Sequence, residues 1–444
     1  MRKKNISNWG NFPQIEAEVA TPAYEEDIRD RLLSAPTVLA RGNGRCYGDA
    51  ALNEHLLSTA RLNKLLYLDE QAAIVECQAG VLLSELLEVI VPRGLFLPVT
   101  PGTKFVSVGG AVAADIHGKN HHKEGSFSRH LIHFELMDAQ GKIHLCSRQS
   151  EPELFWNTIG GMGLTGIILS ARFRLKKIET SYIRKEILTA ANLAEAMQLF
   201  EASEDWTYTV AWIDCLQKGR NMGRSILFRG EHALLEELPA RQKDRPLSLA
   251  PSKSIQMPFH LPGFALNRWS VKAFNFLFYH RHRLAARSQL VSYEPFFYPL
   301  DAILHWNRMY GRKGFTQYQL VLPKAASEEG LLEILECIRR AGAGSFLSVL
   351  KLFGLGEAQA PHSFPIEGYT LALDFKISPA LPALIAQLDQ ILLRLGGKVY
   401  LAKDAFSDAR LSGVDFQGMD PKFQSVQRRR ILATNPLATN NQPS

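Results

Sequence analysis

An α+β fold in two parts is predicted by three observations. Residues 1–180 carry short apolar runs punctuated by glycine- and proline-rich turns, with helical patterns dispersed among them. From about residue 185 the runs lengthen: "TYTVAWIDCLQ", "GRSILFRGEHA", "FTQYQLVLP", "SFLSVLKLFG" and "YTLALDFKI" read as strands of one antiparallel sheet. Two stretches with helical spacing, "ASEEGLLEILECIRRAG" and "ALPALIAQLDQILLRLG", would cover that sheet. A chain of 444 residues has room for two or three domains with full cores.

In the first part, "YEEDIRDRLLSA" reads as a helix and "TVLA" as a buried strand running into "RGNGRCYGD". "LLYLDEQAAIVECQAG" is a hairpin turning at "DEQ". "LLSELLEVIVPRG" has helical spacing and stops at Pro and Gly. "LFLPVTPGTKFVSVGGAVAADIHG" reads as a strand, a Pro-Gly turn and a short Ala-rich helix. "HLIHFELMDAQGKIHLCS" is a second hairpin, "EPELFWNTIGG" a helix and "GIILSARFRLKKIE" a strand.

Composition narrows the function. The net charge of +7 favours an anionic partner. Cys46, Cys77, Cys146, Cys215 and Cys337 are far apart and form no CxxC, so reduced thiols are expected, with no disulfide framework and no metal site. "MRKKNISNWGNFPQ" lacks the apolar run of a signal peptide. The longest uncharged stretch, 154–171, holds four glycines and reads as a turn and a buried strand rather than a membrane span. Residues 241–290 stand apart, with nine Lys or Arg against one acid, Asp244. Phe259, Phe264, Trp269, Phe274, Phe276, Phe278 and Tyr279 follow, and Pro246, Pro251, Pro258 and Pro262 argue against one continuous helix. This segment is either a solvated loop leading into a partly buried helix or a basic-aromatic flap suited to an anionic membrane surface. No nucleic-acid recognition module accompanies it, and nucleic acid is not expected as a partner.

Three glycine motifs carry the chemistry. "GMGLTG" fits G-x-G-x-x-G, but a helix precedes it and a strand follows, the reverse of a dinucleotide fingerprint. In "PGTKFVSVGG", Ser107 can cap a helix whose first turn, at Gly109 and Gly110, would offer N–H groups to a phosphate. "RGNGRCYGD" supplies a second donor-rich turn. Two such turns in one domain suit a pyrophosphate, which needs donors on both sides.

These stretches, with "DIHGKNHHKEGSF", "FTQYQ", "LKLFG", "APHSFPIEGYTLALDF" and "YLAKD", resemble the decaprenylphosphoryl-β-D-ribose 2′-oxidase family, within the vanillyl-alcohol oxidase superfamily. The resemblance runs from about Trp9 to about Pro436. It implies a PCMH-type FAD-binding domain over 1–184, a substrate domain over 185–395 carrying the flap 241–290, and a segment 396–444 returning to the first domain. It implies FAD contacts at Arg41, Gly42, Asn43, Gly44, Arg45, Cys46, Tyr47, Gly48 and Asp49 in the first loop. Further contacts are implied at Gly102, Ser107, Val108, Gly109, Gly110, Ala114, Asp115, Ile116, His117, Ile167, Ile168 and Tyr400. Many superfamily members tether FAD through a first-loop His. Arg45-Cys46-Tyr47 contains none, so non-covalent FAD is expected. The spacing of His117, His121 and His122 fits no common zinc pattern.

The implied reaction is oxidation of the 2′-hydroxyl of a polyprenylphosphoryl pentose to a keto sugar, the first half of an epimerisation completed by a separate short-chain reductase. Lys403 matches the family's lysine beside the flavin, where it can accept the hydroxyl proton or stay charged and stabilise developing negative charge. Tyr47, His117 and Lys119 match positions at the reacting centre. Gln317 and Gln319, two apart on a strand, face one side and can bond sugar hydroxyls. Lys351, Trp212 and Thr370 match pocket positions. Departures occur at Ala372, Thr370 and Val210, where the family carries Cys, Asn and Ser, which makes this pocket less polar. A cytoplasmic protein held peripherally at the inner membrane is the expected setting. The competing readings are a flavin oxidase of a soluble alditol or aldonolactone, and a non-catalytic flavoprotein or lipid-sugar binding module.

Overall fold

The computed structural model describes residues 3–249, 254–345, 347–416 and 419–434. Pro251 of the basic segment and Pro436 lie outside them. The first part is built on two sheets. Strands Lys4–Ser7, Gln14–Ala20, His55–Ser58 and Leu39–Arg41 form a mixed four-stranded sheet in that spatial order. Leu65–Asp69, Ile74–Gln78, Ile167–Arg174, Leu131–Met137 and Ile143–Ser147 form an antiparallel five-stranded sheet. Helix Leu83–Ile90 buries Leu83, Leu86, Leu87 and Ile90, the i, i+3, i+4, i+7 row of an amphipathic helix. Helix Val108–Ala113 starts at Ser107, whose hydroxyl accepts from the Gly110 N–H at 3.3 Å.

The second part is an eight-stranded antiparallel sheet. Its order is Ser288–Ser292, Tyr182–Ala190, Ser225–His232, Tyr208–Ile213, Ser348–Phe353, Gly368–Lys376, Phe315–Pro323, Lys398–Val399. Helices Ser327–Ala341 and Leu381–Leu395 cover one face. Their rows Leu331, Ile334, Leu335, Ile338 and Leu384, Ile385, Leu388, Leu392 pack on Leu320, Leu322, Leu350, Leu371 and Leu373. Each such side chain contributes on the order of 2 kcal/mol by leaving water. The opposite face looks back at the first part, and strands Gly368–Lys376 and Phe315–Pro323 are buried on both faces, hence their near-continuous apolar runs.

The structure differs from the sequence expectation in three places. Tyr182–Ala190 is a sheet strand, although the consecutive charges Arg184, Lys185 and Glu186 break its apolar pattern. The sheet takes its last strand from Lys398–Val399, beyond the expected boundary. The described residues of 241–290 do not form one flap. Ser288–Ser292 is the edge strand of the large sheet, paired with Tyr182–Ala190, because its β-branched and small residues fit a half-buried pleat. Before it, helix Arg268–Arg283 follows the prolines and is capped by Asn267, whose side chain accepts from Trp269 and Ser270. Among the described residues, no helix is long and apolar enough to cross a membrane.

The chain after Val399 runs back over the first part. The Tyr400 hydroxyl donates to the Ala114 carbonyl at 2.9 Å, and the Tyr47 N–H to the Ala402 carbonyl at 3.0 Å. Arg430 bridges the buried carboxylates of Asp49 (2.7 Å) and Asp404 (2.5 Å), locking the final helix to the first loop.

Candidate active site

A cavity of about 620 Å³ lies between the glycine loops and the open face of the large sheet. One wall is backbone. Gly42, Asn43, Gly44, Arg45, Cys46 and Tyr47 line it, with Gly102, Ser107, Gly109, Gly110, Ala114, Ile116, His117 and Ile168. Gly44 has φ +62°, a left-handed conformation that turns successive N–H groups toward one side. Among the described residues, the N–H groups of Gly42, Asn43, Gly44 and Arg45 meet no protein acceptor. These part-exposed donors on the cavity wall are free to bond an anionic ligand there. A Cβ at Gly102 would meet nothing within 4 Å, while one at Gly42 would lie 2.1 Å from the Ser107 hydroxyl. These residues fit the pyrophosphate of FAD, with the first loop as the main cradle.

The second loop acts differently from the expectation. The N–H groups of Val108 and Gly109 already donate to Val81 and Ala79 (2.9 and 2.8 Å), and Gly110 to Ser107. The start of that helix therefore has few donors left for a phosphate. Its glycines permit close packing, since a Cβ at Gly109 would sit 2.9 Å from the Ala79 Cβ.

Several sequence-predicted residues lie behind the wall instead of on it. The Arg41 guanidinium is occupied by Asn8, Ala51 and Ser7 oxygens at 2.5 to 2.8 Å. Asp49 is held by Arg430. Gly48 packs against Asp404, and Asp115 accepts from the Ser128 N–H and the Ser363 hydroxyl. Val108 and Ile167 are core residues. Thr370 donates to the Leu320 carbonyl, and it is Ala372, one pleat along, that lines the cavity. Met162, Gly163 and Gly166 of "GMGLTG" reach the cavity, so this turn brings backbone against whatever fills it.

The other wall is side chains. Gln317 and Gln319 project from one face of Phe315–Pro323, with Lys351, Val349, Ala372, Val210, Trp212 and Phe228 from neighbouring strands. Gln319 Nε2 donates to His117 Nε2 at 2.8 Å. That bond makes Nε2 the acceptor and places the ring proton on Nδ1. Burial, with Lys351 nearby, drives the His117 pKa well below the ordinary histidine value, so the ring is neutral. The Lys403 ammonium stands 3.6 Å over the Tyr47 ring. Burial pulls its pKa down, and the Asp374 carboxylate partly opposes that.

Lys119 donates to the Phe297 carbonyl at 2.9 Å, and burial lowers its pKa to about 7. Burial lowers Lys351 to about 8. Among the described residues, none of Lys119, Lys351 and Lys403 has an ion-pair partner.

Asp374 went unrecognised in the sequence. Its carboxylate accepts from Gln317 Nε2 at 2.6 Å and from the Tyr310 hydroxyl at 2.8 Å. Burial raises its pKa above the usual carboxylate range. A lone acid inside the apolar run "YTLALDF" was the available signal.

The comparisons agree with this geometry. Residues 17–147 match the family model described as an FAD binding domain. The chain is 38% identical over 437 residues to decaprenylphosphoryl-beta-D-ribose oxidase of Mycolicibacterium smegmatis, covering 96% of this chain and 94% of that protein. It is 28% identical to L-gulonolactone oxidase of Scyliorhinus torazame and 26% identical to D-arabinono-1,4-lactone oxidase of Eremothecium gossypii, over 37% and 45% of this chain and about 40% of each relative. A whole-chain match outranks two partial ones, and the cofactor these residues fit is FAD. The chain is an FAD-dependent oxidoreductase and belongs to the decaprenylphosphoryl-β-D-ribose oxidase family.

Proposed function

We propose that this enzyme oxidises the 2′-hydroxyl of a polyprenylphosphoryl pentose, ribose above all, to the keto sugar. The observation that carries the reading is the side-chain wall. Two amides that can bond hydroxyls, Gln317 and Gln319, stand beside Lys119, Lys351 and Lys403, which have no ion-pair partner among the described residues. Desolvated cations are costly alone and are relieved by an anion. A polyol bearing a phosphodiester satisfies both groups at once. A neutral alditol or aldonolactone would leave the lysines uncompensated, and the lactone oxidases match less than half of this chain.

The oxidation removes a proton from the hydroxyl and a hydrogen with its electron pair from the same carbon. Bound FAD supplies the two-electron acceptor. Lys403, its pKa lowered by burial, accepts the hydroxyl proton. Gln319 and neutral His117 hold the sugar by hydrogen bonds, and their own mutual bond fixes both side chains. Tyr47 supports Lys403 from below. Lys119 and Lys351 receive the phosphate. Cys46 does not tether the cofactor, because burial raises its thiol pKa and keeps it un-ionised.

The keto sugar would pass to a separate short-chain reductase, which completes an epimerisation to the arabinose donor. Peripheral contact with the cytoplasmic face of the inner membrane would bring the enzyme to its lipid-borne substrate. The exposed side chains of helix Arg268–Arg283 support that contact, with Trp269 75% and Leu277 67% exposed beside Arg268, Lys272 and Arg281.

The experiment is anaerobic mixing of the yellow, oxidised protein with polyprenylphosphoryl ribose. Loss of the flavin absorbance is expected. No loss with that substrate, but loss with xylitol or an aldonolactone, overturns the reading. Acid precipitation should leave FAD in the supernatant; yellow pellets would show a covalent bond.

A further inference from the structure

The cavity is longer than a sugar needs, and its chemistry changes along its length. Its floor is the open face of the large sheet, crossed at right angles to the strands. Gln319 opposes Ala372, Ala372 opposes Val349, and Val349 opposes Trp212 in register. Phe228 follows on the next strand, opposite Val210. Four strand spacings separate Gln319 from Phe228, roughly 19 Å at about 4.8 Å each. The near end carries Gln317, Gln319, Lys351 and Lys403; the far end is Val210, Trp212 and Phe228, with the Lys185 ammonium 5.7 Å from the Phe228 ring at its limit.

Helix Arg268–Arg283 roofs that far end. Its inner side supplies Phe274, Phe278 and His282 to the cavity. Phe278 packs on Trp212 at 5.0 Å and on Phe274 at 5.5 Å between ring centroids, and His282 packs on Phe228 at 5.4 Å. Phe274 lines the cavity while remaining 42% exposed, which puts it at the mouth. Just outside the mouth, the same helix presents Trp269, Phe276 and Leu277 to solvent. The helix is thus aromatic on both sides, with the cavity on one and an exposed apolar strip on the other.

We infer that this far end is the seat of the substrate's first isoprene units, and that helix Arg268–Arg283 is the wall over which the chain leaves for the bilayer. The inference rests on the reading above and adds the position of the lipid. Polar groups at the near end take the sugar and phosphate. An isoprenoid chain attached to that phosphate can follow the floor toward Trp212, Phe228 and Phe278, where aromatic rings from both the sheet and the helix enclose it. In this arrangement, chain length is sensed by the aromatic sleeve and not by the catalytic end.

Two measurements test it on the FAD-loaded protein. Farnesyl phosphate carrying a terminal diazirine is photolysed with the protein and the labelled peptides are mapped. Label on Trp212, Phe228, Phe274 or Phe278 is expected; label confined to Trp269, Phe276 and Leu277, or none, overturns the channel. Second, kcat/KM is compared between ribosyl phosphodiesters bearing one and three isoprene units. The longer chain should be preferred, and Phe278→Asp should cut that preference about tenfold, as expected for placing a charge against the buried chain. If Phe278→Asp is poorly folded, Phe274→Asp at the mouth should give a smaller loss of the same preference. An unchanged preference in a folded variant overturns the inference. Failure of every ribosyl substrate to bleach the flavin would instead sink the functional reading, a separate outcome.

Discussion

The two walls of the cavity are made of different material. The first-loop wall is backbone: four consecutive N–H groups that meet no acceptor among the described residues, presented by glycines and a left-handed turn. The sheet wall is side chains, placed by period-two alternation on strands far apart in sequence. A backbone wall holds any ligand of the right charge and shape, and it is damaged by bulk. A side-chain wall specifies which ligand reacts, and it is damaged by losing single functional groups. The first wall suits a cofactor shared across a superfamily. The second suits a substrate that differs between members.

The largest expected effect separates the walls most sharply. Lys403→Ala removes the proton acceptor and its contact with the Tyr47 ring, while leaving the N–H groups of Gly42 to Arg45 in place. FAD content should stay at the wild-type level, while flavin reduction by polyprenylphosphoryl ribose slows by about 10²- to 10⁴-fold, the usual worth of a positioned base. Rapid-mixing absorbance measures it. Reduction at the wild-type rate would remove Lys403 from the chemistry and leave the sheet wall without a catalyst.

The converse change should damage the backbone wall alone. A Cβ at Gly48 would sit 1.6 Å from the Asp404 carbonyl oxygen, a main-chain atom that cannot swing aside. Gly48→Ala should therefore push the first loop off the C-terminal segment, at a cost of about 1–3 kcal/mol. It should also lower FAD occupancy, because Gly42 to Arg45 lie on the same loop. Thermal unfolding and the flavin-to-protein absorbance ratio report both. A variant that melts and loads FAD like the parent would mean that the loop is not held by this contact.

The same contrast explains what could be seen in the sequence. The backbone wall was legible because glycines cluster where chain and ligand meet closely, and "RGNGRCYGD" is such a cluster. Its detail was not. Which residues of the cluster face inward depends on pairings such as Arg41 with Asn8 and Asp49 with Arg430, the second formed across 381 positions. The donors of Val108 and Gly109 looked available in sequence and are consumed by Val81 and Ala79. On the sheet wall, the pair Gln317 and Gln319 was legible through alternation alone. The order of strands was not, and so neither was the gradient from Gln319 to Phe228. The roofing helix was legible as basic and aromatic. That its Phe274 and Phe278 point inward while Trp269 and Leu277 point outward follows only from packing.

The smallest effect concerns the residue that sequence reading overlooked. Asp374 touches neither Lys403 nor the cavity surface directly, yet its carboxylate raises the pKa of Lys403 against the larger lowering by burial. With Lys403 as the base, flavin reduction in the wild type should rise with pH through that pKa and level off below the ordinary lysine range. Asp374→Asn keeps the shape but removes the charge; its amide oxygen can accept from Gln317 Nε2, and its N–H can donate to the Tyr310 hydroxyl, which then accepts in place of donating. Burial then acts unopposed, the lysine deprotonates earlier, and the rising limb of log kcat/KM against pH should move to lower pH. The plateau rate should change little, which distinguishes an electrostatic role from a structural one. A limb that stays in place means that Asp374 does not set the lysine. A rate that falls with rising pH means that Lys403 works as a charged ammonium, and the same substitution should then shift the falling limb in the same direction.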